Sequence, residues 1–368
     1  MIFLKRLRLI TICATIGILW ICAGAAGAAS YSVTGLGGIA EGWGCQPLAI
    51  NNTGMVTGYA PDDTGVPHAF LYEDGVMTDL GTVGGPGRSA YGMDINDASK
   101  VVGHGDVLVG DRTLSHAFIH SGGSMTDLGT FGYEQASGFG LNDTDQIVGL
   151  ITLSWDPYVE HAFLYDDGVL TDLGTLGGED SRAYAINDSG QVVGNADIST
   201  GVRHAFLYSG GVMTDIGTLG GNTASARSIN DAGQIAGYSQ TDAGQVHAFL
   251  YSGGTFEDLG TLGGLYSLAY ALDESGDVVG TSRTAAGDYH AFLFRDGVMY
   301  DLNDLIPADS SWLLTYAYGI NNRGQIVGIG SNGGFLLTPV PEPISFIFYG
   351  TGLAGVLAFV LRKRLRAR

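Results

Sequence analysis

Cysteine is almost missing from this chain. Of three in 368 residues, Cys13 and Cys22 lie in an apolar N-terminal stretch, and only Cys45 stands beyond it. One thiol excludes an internal disulfide, so a chain this long must be held by its core. Cys45 itself reads as a small buried residue rather than a nucleophile, with no histidine or base near it in sequence. Basic residues are scarce as well, 17 against 37 acidic. Residues 30–338 keep nine of the basic and 36 of the acidic ones, a net charge near −27. A surface of that sign repels nucleic acid and anionic membrane and favours solubility. No 3.6-residue apolar stripe survives the 60 glycines, which excludes a helical fold. There is no Ser-His-Asp spelling, no glycine-rich phosphate loop and no cysteine pair, so no enzyme signature is present.

The two ends differ from the middle. Lys5, Arg6 and Arg8 precede the apolar run Leu9 to Cys22, followed by alternating small residues. That order predicts a signal peptide over residues 1–29, cleaved near Ala28 or Ala29. At the other end Ile344 to Leu361 is eighteen residues without a charge, followed by Arg362, Lys363, Arg364, Arg366 and Arg368. Its length predicts a transmembrane helix over 344–361, with the basic end cytoplasmic and the preceding chain outside. Just before it stands Pro341-Glu342-Pro343. Taken together, the tail 339–368 resembles the PEP-CTERM sorting signal of Gram-negative bacteria. Ile344 replaces the small residue that usually follows the motif. The resemblance implies export, transient membrane anchoring, and processing by an exosortase at or near Pro341, Glu342 and Pro343.

What fills the middle is a repeat. His-Ala-Phe occurs at His68, His116, His161, His204, His247 and His290, at spacings of 48, 45, 43, 43 and 43 residues. Each copy reads as four short strands. In one of them His161 to Tyr165 is the first, Val169 to Thr175 the second, Tyr184 to Ile186 the third and Gln191 to Gly194 the fourth. Asp166-Asp167-Gly168 and Asn187-Asp188-Ser189-Gly190 are turns, and Leu176-Gly177-Gly178 ends the second strand. Four strands in about 43 residues match a β-propeller blade. The turn after the third strand occurs seven times, from Ile50-Asn51-Asn52 to Ile320-Asn321-Asn322. The chain begins at a second strand, Val33 to Leu36, and ends at a first strand, Gly334 to Leu337, so one blade is shared between the termini. The expected fold is therefore all-β: a seven-bladed propeller over 30–338, closed by strands from both ends, plus the C-terminal transmembrane helix.

The His-Ala-Phe spelling resembles the HAF-repeat family of bacterial extracellular proteins, over nearly all of residues 31–338. That resemblance implies a secreted repeat protein and supplies no catalytic residues.

Residues found in every copy read as scaffold. Zinc or copper needs three or four converging ligands, which six histidines spread round a ring do not offer. The repeated His and the repeated Asp79, Asp127, Asp172, Asp215, Asp258 and Asp301 read as structural hydrogen-bonding groups. The Asn-Asp turns read as turn chemistry, with weak calcium sites as the alternative and no other cofactor expected. The irregular places carry the functional weight. The segment Asp106 to Ser115 is longer than its counterparts, and Ser154-Trp155-Asp156-Pro157-Tyr158 brings two aromatics to an equivalent loop. Trp155, Tyr158, Trp43 and Trp312 are the candidate binding-face residues, since exposed aromatics stack on sugars or anchor partners. The reading is a non-enzymatic binding or structural module at the surface or in the extracellular matrix of a Gram-negative cell. Its partners would be an exosortase-type enzyme, a surface polysaccharide or protein, and the membrane through the C-terminal helix, but not nucleic acid. The competing reading is a propeller-fold glycan hydrolase or lyase, for which His104, Glu134 and Glu160 are the non-repeated candidates.

Overall fold

Glycine turns cut the apolar runs into short strands, and each copy of the repeat folds into one four-stranded antiparallel sheet. The computed structural model describes residues 31–341. It contains 28 strands, which form seven blades. In blade 1 the strands Gln46–Ile50, Val56–Pro61, Pro67–Glu73 and Val76–Gly81 lie side by side in chain order. Blades 2, 3 and 4 begin at Ala90–Ile95, Gln135–Leu141 and Gly177–Ile186, and blades 5, 6 and 7 at Gly220–Ile229, Gly263–Leu272 and Leu314–Ile320. Blades 5 and 6 touch through one parallel bridge, Val246 to Tyr266. The innermost strand of each blade is the one that ends in Ile/Leu-Asn/Asp.

Six outer hairpins turn on two residues that both have positive φ, such as Asp74 (49°) and Gly75 (87°), the geometry that matches strand twist. The inner strand of blade 4 starts earlier than the glycines suggest. Gly177 already pairs with Ile198, and an irregularity before Ser181 lets the strand run on through what reads as a terminator.

The core lies in the seams between blades. Seven apolar clusters each join two neighbours; Val102 and Ala117 of blade 2, for example, meet Ala136, Ile147 and Phe163 of blade 3. The seven phenylalanines of the repeated strand are all fully buried. Burying each is worth roughly 2–3 kcal/mol. The ring closes in blade 7, where Tyr31–Gly35 pairs antiparallel with Gly333–Pro339, in register from Tyr31–Pro339 to Gly35–Phe335. The Tyr31 N–H also donates to the Leu305 carbonyl at 2.8 Å.

The strand directions define two faces. Inner strands run into the Asn turns at one face, the turn face. The hairpins before each His-Ala-Phe strand, and the loops entering each inner strand, lie at the opposite hairpin face. The long segment at 106–115 is no loose loop there: Val101–Val109 and Arg112–Ser121 are paired strands joined by a tight turn.

One part of the expected fold is corrected. The described residues are all-β, with no strand longer than ten residues and a single 3-10 turn, Leu302–Asp304. None of their helices is long and apolar enough to cross a membrane, so no transmembrane helix belongs to this fold. A count of uncharged residues measures length and hydropathy but shows no helix. The span 344–361, the leader 1–29, Glu342 and Pro343 lie outside the described residues; Pro341 is the last residue described.

Candidate functional site

Three repeated features belong to the scaffold. Each His-Ala-Phe histidine bonds through Nδ1 to the outer-strand aspartate eleven residues on, at 2.5–3.1 Å in all six copies. The same carboxylate accepts the N–H two residues further on, as Asp172 does from Gly174 at 2.8 Å. Each phenylalanine lies on a glycine of the strand beside it. At Gly280 a Cβ would stand 1.9 Å from the Leu268 carbonyl oxygen and 2.8 Å from the Phe292 ring.

The third feature circles the turn face. The backbone N–H of Asn52 donates to Asp97, Asp97 to Asp143, Asp143 to Asp188, Asp188 to Asp231, Asp231 to Glu274, Glu274 to Asn322, and Asn322 back to Asn52, at 2.7–3.3 Å. Beneath it Asn51, Asn96, Asn142, Asn187, Asn230 and Asn321 each donate a side-chain N–H to the next blade's carbonyl. The carboxylates thus receive amide donors from neighbouring blades. Burial, and then mutual repulsion, raises the proton affinity of Asp143 and Glu274. Among the described residues no group of three or more His, Cys, Asp or Glu could hold a metal ion.

The channel wall is where copies part company. The residue two before each Ile/Leu-Asn/Asp pair points inward: Leu48, Met93, Phe139, Tyr184, Arg227, Tyr270 and Tyr318. These seven line a central cavity of about 590 Å³, with Asp94 and Arg182 among their neighbours. Phe139 and Tyr184 stack at 5.9 Å, and Tyr270 and Tyr318 tilt together at 5.1 Å. The Arg227 guanidinium lies 3.9 Å from the Tyr184 ring centre, a cation–π distance. Arg182 is ion-paired with the buried Glu160. Asp94, the lone carboxylate among the lining residues, accepts the N–H groups of Ile95 and Leu141, both at 2.9 Å. Burial lifts its carboxyl to about 7. Reading the loops for irregularity missed this ring. It is one of several inner-strand positions at which neighbouring copies differ, here all but Tyr270 and Tyr318, so variability alone did not single it out.

The four sequence-predicted aromatics all fall on the hairpin face, but they do not converge. Trp155 and Tyr158 form a pair with centroids 5.8 Å apart, both more than 40% exposed. Their polar ends are held: Trp155 Nε1 donates to Glu134 Oε2 at 2.8 Å, and the Tyr158 hydroxyl to Glu160 Oε2 at 2.9 Å. Arg112 donates to the same Glu134 oxygen at 3.2 Å and sits 5.8 Å from the Trp155 ring centre. Trp43, half exposed, lies in the loop between blades 7 and 1. Trp312 instead is partly buried and packs edge-on against Phe335, 6.2 Å away, at the edge of the blade-7 core. The hairpin face also exposes Leu108, Val109, Leu265 and Leu313, whereas the turn face exposes only valines among its large apolar residues.

The candidate catalytic groups are each taken up by other partners. His104 is stacked on Tyr91 at 5.2 Å and meets the Phe139 edge at 5.8 Å; burial pushes its imidazole down to about 4. Glu134 and Glu160 have separate partners, as above. Cys45 is buried, and burial pushes its thiol up to about 12, which leaves almost no thiolate at neutral pH.

No family model and no curated protein matches this sequence. Solved structures do. The β-propeller domain of the Trilobed protease from Pyrococcus furiosus is similar at TM-score 0.50 and 14% identity, over 70% of this chain and 84% of that one; it is described as having an open velcro topology. TolB from Acinetobacter baumannii matches at TM-score 0.44 and 14% identity, over 75% and 76%. A lectin of Aleuria aurantia, solved with a fucosylated sugar, matches at TM-score 0.40 and 14% identity, over 69% and 94%. At such identities the likeness shows the fold alone: this chain is a β-propeller.

Proposed function

We propose that the chain is an exported binding module that holds a surface polysaccharide on its hairpin face without cleaving it. One observation carries this reading: the exposed aromatic pair Trp155–Tyr158 is held in place by Glu134, Glu160 and Arg112 on a face that gathers the other exposed aromatic, Trp43, and four exposed aliphatics. Indole and phenol rings present flat apolar surface to the C–H face of a sugar, and the flanking carboxylates and guanidinium suit its hydroxyls. The leader and the Pro341-Glu342-Pro343 motif support export and exosortase processing, and so an extracellular location. His104 sits apart in a buried aromatic stack, Glu134 and Glu160 are occupied by Trp155, Arg112, Tyr158 and Arg182, and the channel has a single carboxylate; these favour binding over hydrolysis, which ordinarily uses two facing, available carboxyl groups.

The test compares the wild-type protein with Trp155→Ala/Tyr158→Ala for retention of cell-surface polysaccharide on immobilised protein. The wild type retains it and releases no new reducing or unsaturated ends. The double variant loses about tenfold or more in affinity, while its melting temperature stays near that of the wild type. Equal retention by the two proteins, or release of new ends, overturns the reading.

A further inference from the structure

Among the described residues, the channel holds a cation that no carboxylate pairs. Of the nine basic residues between 30 and 338, Lys100, Arg112, Arg182, Arg203 and Arg295 have carboxylate partners. Arg88 donates to Thr113, Arg283 donates to Tyr289, and Arg323 is exposed. Arg227 is half-buried in the channel wall and makes no ion pair or side-chain hydrogen bond among the described residues, although acidic groups outnumber basic ones about fourfold. One side of its guanidinium is turned to Tyr184, at 3.9 Å, with Tyr238 at 6.0 Å. Its charge also acts on the hydroxyl of Tyr270 across the seam. Stacking uses the face of a guanidinium and leaves its N–H edge free, and that edge matches the two oxygens of a carboxylate. The adjoining cavity, about 590 Å³, is of small-molecule size and is walled by Phe139, Tyr184, Tyr270 and Tyr318.

We propose that the channel is a second binding site, separate from the hairpin face. It takes a small monoanion, a carboxylate on a compact ring body, with the carboxylate on the Arg227 edge and the ring against the aromatic wall. A sugar acid and an aromatic acid share this chemistry. Arg182 cannot play the same part, because Glu160 already neutralises it.

Calorimetric titration of the full chain with glucuronate, benzoate and glucose tests this. At least one of the two acids binds and glucose does not; which acid binds identifies the source of the carboxylate. Arg227→Met weakens binding about tenfold or more. Arg227→Lys keeps the charge but loses the planar fork, and weakens it severalfold. Trp155→Ala/Tyr158→Ala leaves acid binding unchanged, so failure here is distinct from failure of the polysaccharide reading. The proposal is overturned if neither acid binds the wild type, if glucose binds equally well, or if both Arg227 variants bind as the wild type does. Should Arg227→Met fail to fold, the lysine variant alone decides.

Discussion

Each letter of the repeated tripeptide has a separate physical job. A carboxylate can only accept, so the histidine must carry its proton on Nδ1 to meet the outer-strand aspartate. The alanine is fully buried in every copy. The phenylalanine covers a glycine. One residue breaks a repeated pattern and can be corrected by design. Asp273 stands where six copies have asparagine, and its Oδ1 accepts from Ser275 and Asp277 as theirs does from equivalent amides. Where they carry an amide N–H for the next blade, it carries an oxygen. Burial, and then the Asp277 charge, raises its proton affinity. The folded state therefore binds this proton more tightly than the unfolded chain, whose carboxyl titrates near about 3.9. The stability associated with it is highest in acid and falls as pH rises past that value. Asp273→Asn supplies the missing donor to Asn321 and should add about 1 kcal/mol at pH 7 in urea unfolding, with the gain shrinking towards pH 4. No gain at pH 7 would mean that the gap in the amide circle costs nothing.

At the scale of the strand, each His-Ala-Phe strand and the strand before it in its blade fit together through a bare backbone. Gly280→Ala puts a methyl into the Leu268 carbonyl and the Phe292 ring. A cost of about 3 kcal/mol is expected from such overpacking, read as a lower denaturant midpoint; a loss under about 0.5 kcal/mol would show that the pair has room. Strand identity, turn chemistry and the His–Asp pairing were legible in the sequence because each recurs at a fixed offset. The inner-strand start at Gly177 was not, because a glycine that ends a strand and one that bulges it are spelled alike. The Trp155–Glu134 bond and the solitude of Arg227 were not legible either. Both depend on which blade stands beside which, and no single copy encodes that. The same limit explains why Trp312, grouped with Trp155 by exposure-prone type and loop position, is partly buried against the blade-7 core.

At the scale of the whole molecule, one strand pair joins the first strand to the last and completes blade 7. Gly333–Pro339 contributes Phe335 and Leu337, both fully buried, and provides the edge on which Tyr31–Gly35 lies. Deleting residues 333–338 removes two core side chains worth about 5 kcal/mol or more and frees the first strand. The melting temperature should fall by about 10 °C or more, and an unchanged melting curve would contradict closure through this pair. The pairing also sets an order of events. Ser32 and Thr338, hydrogen-bonded across the clasp, are 306 positions apart. The first strand to leave the ribosome thus has no partner until almost the last one arrives. The ring therefore cannot clasp while the chain is still being made, and the position of the clasp makes closure an all-but-final step of folding.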